Sequence, residues 1–540
     1  MSYDALLATL VRDRLASRLV HRDIDAFASQ DDEGARESVR TRLGWLGAPV
    51  DMAARLDEVT SAADAARADG LVHVYLLGMG GSSLCAEVLR DVAARPAARG
   101  GLTVLDTTDE RTIRDATESM RPGRSLFIVA SKSGSTIEVS SLERHFWSAL
   151  TDAGVKNPGH HFIAITDPGT GLASEASAKG YRHVFLNPAD IGGRYSALSL
   201  FGLVPAALMG IDIRALLTSA AQVAAHCTED TAMNPGLSLG AFLGEQANKG
   251  RDKLTLLVPP SLAPLGIWIE QLVAESTGKR GRGILPVVGE PIGKPAEYGR
   301  DRMFVALLTG DSDVRVAARK IEEAGFPMLR IETSPADLGA EFYRWEFATA
   351  VAGAVIGVNP FDEPNVREAK QRTQAQLDGR RATGTFHLDP PFEKGPGYSR
   401  REHRPDTPDP AAASHRYLAI LDYLPFETRR PEVIERMRGA LRQRTRIATT
   451  YGVGPRYLHS TGQYHKGGPN TGMFLLITAA DASATPVPGT DYTFSALKYA
   501  QALGDFDALA AAGREVIHYH LEDPTADFSA ELEKVALGLG

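Results

Sequence analysis

Two cysteines in 540 residues, Cys85 and Cys227, are too few for a disulfide framework or a cysteine-based zinc site, and they point to a reducing compartment. Long apolar runs are missing as well. None approaches the roughly 20 residues that span a bilayer, so no membrane partner is expected. The N-terminal stretch MSYDALLATLVRDRLASRLVHRD carries charge throughout and has no apolar h-region, which excludes a secretory signal. Positive charge is not in excess. The formal net charge of −8 argues against general nucleic-acid binding, while a local basic pocket stays open. What is there, 43% hydrophobic residues with 52 glycines and 31 prolines, suits a cytoplasmic globular chain of about two to four domains.

Residues 1–68 alternate apolar and charged positions at helical spacing, as in DALLATLVRDRLASRLV. From residue 69 the texture changes to short β-rich runs separated by helical stretches: HVYLLG, GLTVLD, SLFIVAS, HFIAITD and HVFLNP. That alternation predicts an α/β fold with a doubly wound parallel sheet over 69–212. A second cycle over 213–374 runs through DKLTLLVPP, ILPVVGE, RMFVALLTG and PMLRIET. Two successive α/β units of similar length suggest duplication in architecture. The stretch 375–415, rich in proline, glycine and charge, reads as a linker or long surface loop. A third α/β segment is expected over 416–540.

Two strand-to-helix turns carry the chemistry. In LLGMGGSSLCAEVL the glycines Gly78, Gly80 and Gly81 precede Ser82 and Ser83 at the start of a helix. Glycine lets the backbone approach a ligand closely, and the first amides of the helix present partial positive charge to an anion. A tight turn without a ligand is the alternative. The turn fits neither the dinucleotide fingerprint nor the Walker pattern. In SLFIVASKSGSTIEV the residues Ser131, Ser133, Ser135 and Thr136 bring four hydroxyls beside Lys132 and Gly134. That cluster suits a phosphate monoester; capping of the next helix is the competing use and needs only one or two of them.

The pair GMGGSS and SKSGSTIE resembles the sugar-isomerase fold, whose loops of this kind bind the phosphate of a phosphosugar. With IGGRYSALSLFGLVPAALMG, IEQLVAESTGKRGRG and VIGVNPFDEPNVREAK in family order, the chain resembles the glucose-6-phosphate isomerases over about residues 70–372. The closest likeness is to the isomerase half of bacterial transaldolase/glucose-6-phosphate isomerase fusions, without a transaldolase-like barrel pattern. The C-terminal HSTGQYHKGGPNTG is similar to that subgroup too. The resemblance implies two sugar-isomerase domains, an aldose–ketose isomerase that works through a cis-enediol, a phosphosugar substrate and no metal or redox cofactor. A homodimer is the expected assembly.

Residue by residue, the resemblance makes Glu275 the base that shuttles the proton. It stands where the apolar helix IWIEQLVAE gives way to STGK, so a raised pKa is expected. Gln271 lies four residues before it on the same helical face. Arg194, after two glycines, matches the arginine that stabilises the enediolate, with a structural ion pair as the alternative. Lys370 matches the lysine of ring opening; outside the resemblance it would be a surface residue. Gly81, Ser82, Ser131, Lys132, Ser133, Thr136 and Gln271 form the expected substrate-binding set. Lys279 is expected to be structural or peripheral.

Two positions depart from the family. Glu363 stands where glutamine is common; a carboxylate repels phosphate unless it pairs with Lys370 or Arg367. The ring-opening histidine is expected between Glu275 and Lys370, where this sequence has none. His459, in a loop of LHS-x-GQ type after Lys370, is assigned the task. His465, alone or with Lys466 as a phosphate ligand, is the runner-up, and a histidine of a neighbouring subunit remains the other source. His518 and His520 are assigned no role. Competing functions are an isomerase that also accepts mannose 6-phosphate, and a non-catalytic sugar-phosphate-binding regulatory module.

Overall fold

The computed structural model describes residues 2–27, 33–93, 101–310, 313–386, 388, 391–395, 397–405, 416–424, 430–481 and 483–522. Fifteen strands are described: β1 His73–Gly78, β2 Leu102–Leu105, β3 Ser125–Ala130, β4 Phe162–Thr166, β5 His183–Leu186, β6 Lys253–Leu257, β7 Leu285–Val287, β8 Arg302–Leu308, β9 Met328–Glu332, β10 Glu393–Gly395, β11 Tyr398–His403, β12 Tyr417–Asp422, β13 Ala448–Val453, β14 Gly472–Ala479 and β15 Glu515–Leu521. They make three sheets, ordered β2-β1-β3-β4-β5, β7-β6-β8-β9 and β10-β11-β15-β14-β12-β13. The first two are wholly parallel, and in the third β11 alone runs against the other strands, pairing antiparallel with β10 and β15. Each parallel part has the same plan: the unit's first strand lies between its second and third, with the fourth outside. The C-terminal segment thus repeats the architecture a third time.

Strands buried on both faces need continuous apolar runs, and β3, SLFIVA, is buried along its whole length. Its side chains alternate between two cores: Leu126 and Ile128 face one, Phe127 and Val129 the other. The first of these cores is shared. Leu19 and Trp45 from the N-terminal segment, Leu76 of β1, Leu256 of β6 and Trp345 belong to one cluster. The N-terminal segment is helical, with Tyr3–Arg12, Leu15–Val20, Glu33–Arg40 and Leu56–Ala68 as its longer helices. The third sheet has a core on each face, and one of them includes Ala274 from the Ala263–Thr277 helix of the second unit. Among the described residues no helix is long and apolar enough to cross a membrane.

The expected linker at 375–415 is corrected. The helix Pro364–Thr383 runs through its first part, and β10 and β11 form a hairpin that extends the third sheet from β15. The helix continues because no proline interrupts it, and it ends at Gly384 in the left-handed conformation. The charged strands YSRREH and EKG sit at the sheet edge, where alternating burial is not required. Residues 406–415 of that stretch lie outside the described residues.

Candidate active site

In the first sheet the chain goes from β1 to one side and from β3 to the other, so the loops after these strands flank a switch point of the topology. A cleft of about 400 Å³ opens there, within the size range of small-ligand sites. Its lining is gathered from segments far apart in the chain. The loop after β1 gives Gly80, Gly81 and Ser82; the loop after β3 gives Lys132, Ser133 and Thr136; the second unit gives Gln271 and Glu275; the third gives His459. Arg194, Glu363, Asp167 and Arg42 complete the charged wall.

Glycine is required where these parts meet. A Cβ on Gly81 would stand 1.9 Å from the Gly193 carbonyl oxygen, inside van der Waals contact with backbone. Gly80 has φ of +56°, and a Cβ there would meet the His459 carbonyl oxygen at 2.7 Å. On the opposite wall the helix Ile137–Asp152 begins after Thr136, whose hydroxyl makes no cap bond. That hydroxyl pairs instead with Ser131 at 2.9 Å, and Ser133 pairs with Ser135 at 3.1 Å. Capping therefore does not account for the hydroxyl cluster, and the first-turn amides of the helix remain open to an anion.

Glu275 ends the Ala263–Thr277 helix, one turn after Gln271. Its Oε1 accepts from Arg194 Nη1 at 3.1 Å and its Oε2 from Gln271 Nε2 at 3.1 Å. Burial pushes its pKa above the usual carboxylate value; the Arg194 charge opposes the rise and the Glu363 charge adds to it. Arg194 is itself locked. Nε donates to Ser276 Oγ at 2.8 Å, Nη2 to the carbonyls of Pro360 and Asp362 at 2.7 and 2.9 Å, and Nη1 also reaches Glu363 at 3.3 Å. Glu363 lies between Arg194 and Arg42, which is 3.4 Å away. Burial would raise the Glu363 pKa, but these guanidiniums outweigh it and hold the group below its ordinary value. The expected partner Lys370 is not the one that neutralises it, and the Arg367 side chain lies outside the described residues.

His459 reaches the cleft from the loop after β13. Its carbonyl accepts from Gln271 Nε2 at 2.7 Å, and its Nε2 lies 2.9 Å from Glu138 Oε1. Burial would raise the Glu138 pKa, but His459 outweighs it, with Lys370 adding to the effect, so the carboxylate stays ionised. An ionised carboxylate only accepts, so the ring nitrogen that faces it, Nε2, is the donor of this pair. Glu138 was not singled out from the sequence. It closes the SKSGSTIE motif as the second residue of the helix, and only the fold shows it 3% exposed beside His459.

The other residues singled out from the sequence are placed as follows. His465 is buried away from the cleft, with Nδ1 3.0 Å from the Tyr417 hydroxyl. Lys466 is buried against Asp505, so neither residue is a phosphate ligand. Ser131 is 3% exposed and does not line the cleft; it fixes Thr136. Lys132 lines the cleft with its ammonium paired to Asp167 and 2.9 Å from the Ala189 carbonyl. Lys370 does not line the main cleft. It opens on a second cavity of about 170 Å³ behind His459, with Glu138 and Gln501. Lys279 is buried and held by Asp362 at 2.8 Å, a structural role. His518 and His520 both hydrogen-bond Thr478.

A family model described as phosphoglucose isomerase matches residues 52–283. The glucose-6-phosphate isomerase of Symbiobacterium thermophilum is 30% identical over an alignment of 392 residues, gaps included, that covers 62% of this chain and 86% of that protein. The one from Rubrobacter xylanophilus is 29% identical over an alignment of 374 residues that covers 60% and 86% of the two chains. Among solved structures, a hypothetical protein from Thermus thermophilus superposes with a TM-score of 0.59 at 23% identity, over 69% of this chain and 96% of its own. A glucose-6-phosphate isomerase from Chlamydia trachomatis gives 0.52 at 19%, over 68% and 78%. Both structural likenesses concern the fold.

Proposed function

The chain belongs to the phosphoglucose isomerase family, and from that premise we propose that it interconverts glucose 6-phosphate and fructose 6-phosphate through a cis-enediol. One observation carries this reading: a buried carboxyl with a raised pKa, Glu275, shares one cleft with a hydroxyl-rich helix N-terminus. A phosphate dianion at Ser133, Thr136 and the first-turn amides leaves the sugar's reacting carbons to point toward Glu275. Ser82 and Lys132 contribute donors from the adjoining loops.

Aldose–ketose conversion moves a proton between C2 and C1. A carboxylate with a raised pKa is a stronger base, and it returns the proton readily once it holds it. Gln271 fixes one oxygen of Glu275 and so aims the carboxylate. Arg194, kept in place by its bonds to Ser276, Pro360 and Asp362, holds its positive charge beside Glu275, where it stabilises the negative charge that develops on the enediolate oxygen. Ring opening falls to His459, whose imidazole takes or returns the hydroxyl proton while Glu138 stabilises the imidazolium. Lys370, on the far side of this pair, acts through its charge on Glu138 rather than through the sugar. The two free, buried cysteines fit a cytoplasmic setting.

The test is a coupled assay with fructose 6-phosphate on wild type and Glu275→Gln, with phosphosugar binding measured in parallel. The variant loses about 10³-fold in turnover and keeps its affinity. A wild type that binds phosphosugar without turnover would instead mark a regulatory module.

A further inference from the structure

Glu138 Oε1 accepts twice. Besides His459 it takes a hydrogen bond from Gln501 Nε2 at 2.7 Å. Gln501 belongs to the helix Phe494–Ala511 of the third unit and is 2% exposed, between Ala500 and Ala502 in an otherwise apolar stretch. Its Oε1 accepts from the Thr108 hydroxyl at 2.8 Å, and Thr108 is fully buried in the first unit. A buried amide costs free energy unless both its ends are satisfied, and the ionised carboxylate, which only accepts, fixes which end it meets. The amide nitrogen therefore faces Glu138, and the oxygen at the other end accepts from the threonine hydroxyl. The donors therefore converge on Glu138, Thr108 through Gln501 from one side and His459 Nε2 from the other.

We infer that Gln501 is the positioning residue of the Glu138–His459 pair, and that the third α/β unit in this way supplies both the ring-opening histidine and the group that aims its carboxylate. The inference rests on the reading of His459 given above. Without Gln501 the carboxylate is free to turn about its last torsion, and Nε2 of His459 loses a fixed acceptor. The charged groups around Glu138 are His459 and, across the second cavity, Lys370; the nearby Tyr423 phenol is held neutral by burial. Removing a donor from an ionised carboxylate disfavours its charge, so the pair takes up a proton more readily.

Gln501→Met keeps the length and burial of the side chain while deleting both hydrogen bonds. It lowers turnover of ring-closed fructose 6-phosphate by about 10- to 100-fold, the loss expected for one bond to a charged group. KM changes by less than about 3-fold, proton exchange on an open-chain analogue is kept, and the acidic limb of the pH–rate profile moves to higher pH. Thr108→Val, which frees the amide without removing it, acts in the same direction with a smaller loss. Wild-type turnover and pH profile in a folded Gln501→Met would overturn the inference. So would equal loss on open-chain and closed substrates, or a loss that only tracks thermal stability. A readout free of turnover separates this from failure of the functional reading. In protein labelled with ¹⁵N-histidine, the low-field Nε2–H signal of His459 is lost or broadened in Gln501→Met. An unchanged signal overturns the positioning role, whereas an inactive wild type that shows the signal and its loss overturns only the isomerase.

Discussion

At Glu275 two opposing effects meet. Burial favours the neutral acid, Arg194 favours the anion, and burial wins, leaving a base whose pKa stands above the ordinary carboxylate. Glu363 contributes to that rise from the other side of Arg194. Replacing it by glutamine removes a negative charge, lowers the Glu275 pKa, and keeps the base ionised to lower pH. In Glu363→Gln the acidic limb of kcat/KM therefore moves to lower pH, measured from pH 4 to 8 on fructose 6-phosphate; a limb that stays in place or moves up contradicts the account. This pairing was not legible in the chain. Arg42, Arg194 and Glu363 are separated by more than 150 residues at each step, and only tertiary folding shows that the departure at 363 is matched by an arginine from the N-terminal segment. Glu275, Arg194 and the hydroxyl loop were legible because their motifs are local, whereas the division of labour between Ser131 and Thr136 depends on which hydroxyl points outward.

Elements place these residues by close backbone approach. The loop after β1 sits against the Gly193–Arg194 turn on one side and the His459 carbonyl on the other, and side chains at 80 and 81 would separate all three. Gly81→Ala pushes the Arg194 turn away from the cleft, with a predicted cost of about 1–3 kcal/mol in stability and at least about 100-fold in turnover. Chemical denaturation and the coupled assay check both; a soluble variant of near wild-type activity contradicts it. Strands were readable as apolar runs bounded by turns, which is why β1 to β9 fall where the pattern predicts. β10 and β11 escaped because edge strands of charged residues carry no such pattern, and the end of the helix Pro364–Thr383, from residue 375 on, escaped because its glycine and arginines resemble loop composition. The histidine's position after Lys370 was visible in the sequence, but its carboxylate partner lies 321 residues away and was not.

Over the whole molecule, His459 lines the cleft only while the third unit stays docked on the first two. A buried network does part of this. Glu290, next to the second sheet, takes bonds from Arg302 of β8 at 3.1 Å and from the Thr449 hydroxyl of β13 at 2.9 Å, with Arg442 at 3.6 Å. Burial would raise its pKa, but the surrounding guanidiniums hold it below the ordinary value. Its contribution to stability is thus complete above the unfolded carboxylate pKa and is lost as pH falls through the folded one. Glu290→Gln leaves buried arginines uncompensated and costs about 3–5 kcal/mol at pH 7, with a shallower acid dependence of the melting temperature than wild type. Melting curves from pH 3 to 7 check this; parallel curves for the two proteins contradict it.

The most direct measurement follows a hydrogen isotope rather than the product. Fructose 6-phosphate incubated in deuterated water with wild-type protein acquires deuterium at a single C1 position, and label placed at C2 of glucose 6-phosphate appears in part at C1 of the ketose. In Glu275→Gln both exchange and transfer fall together, by about 10³-fold, while phosphosugar still binds. Exchange that persists at the wild-type rate in this variant would place the base elsewhere and contradict the account.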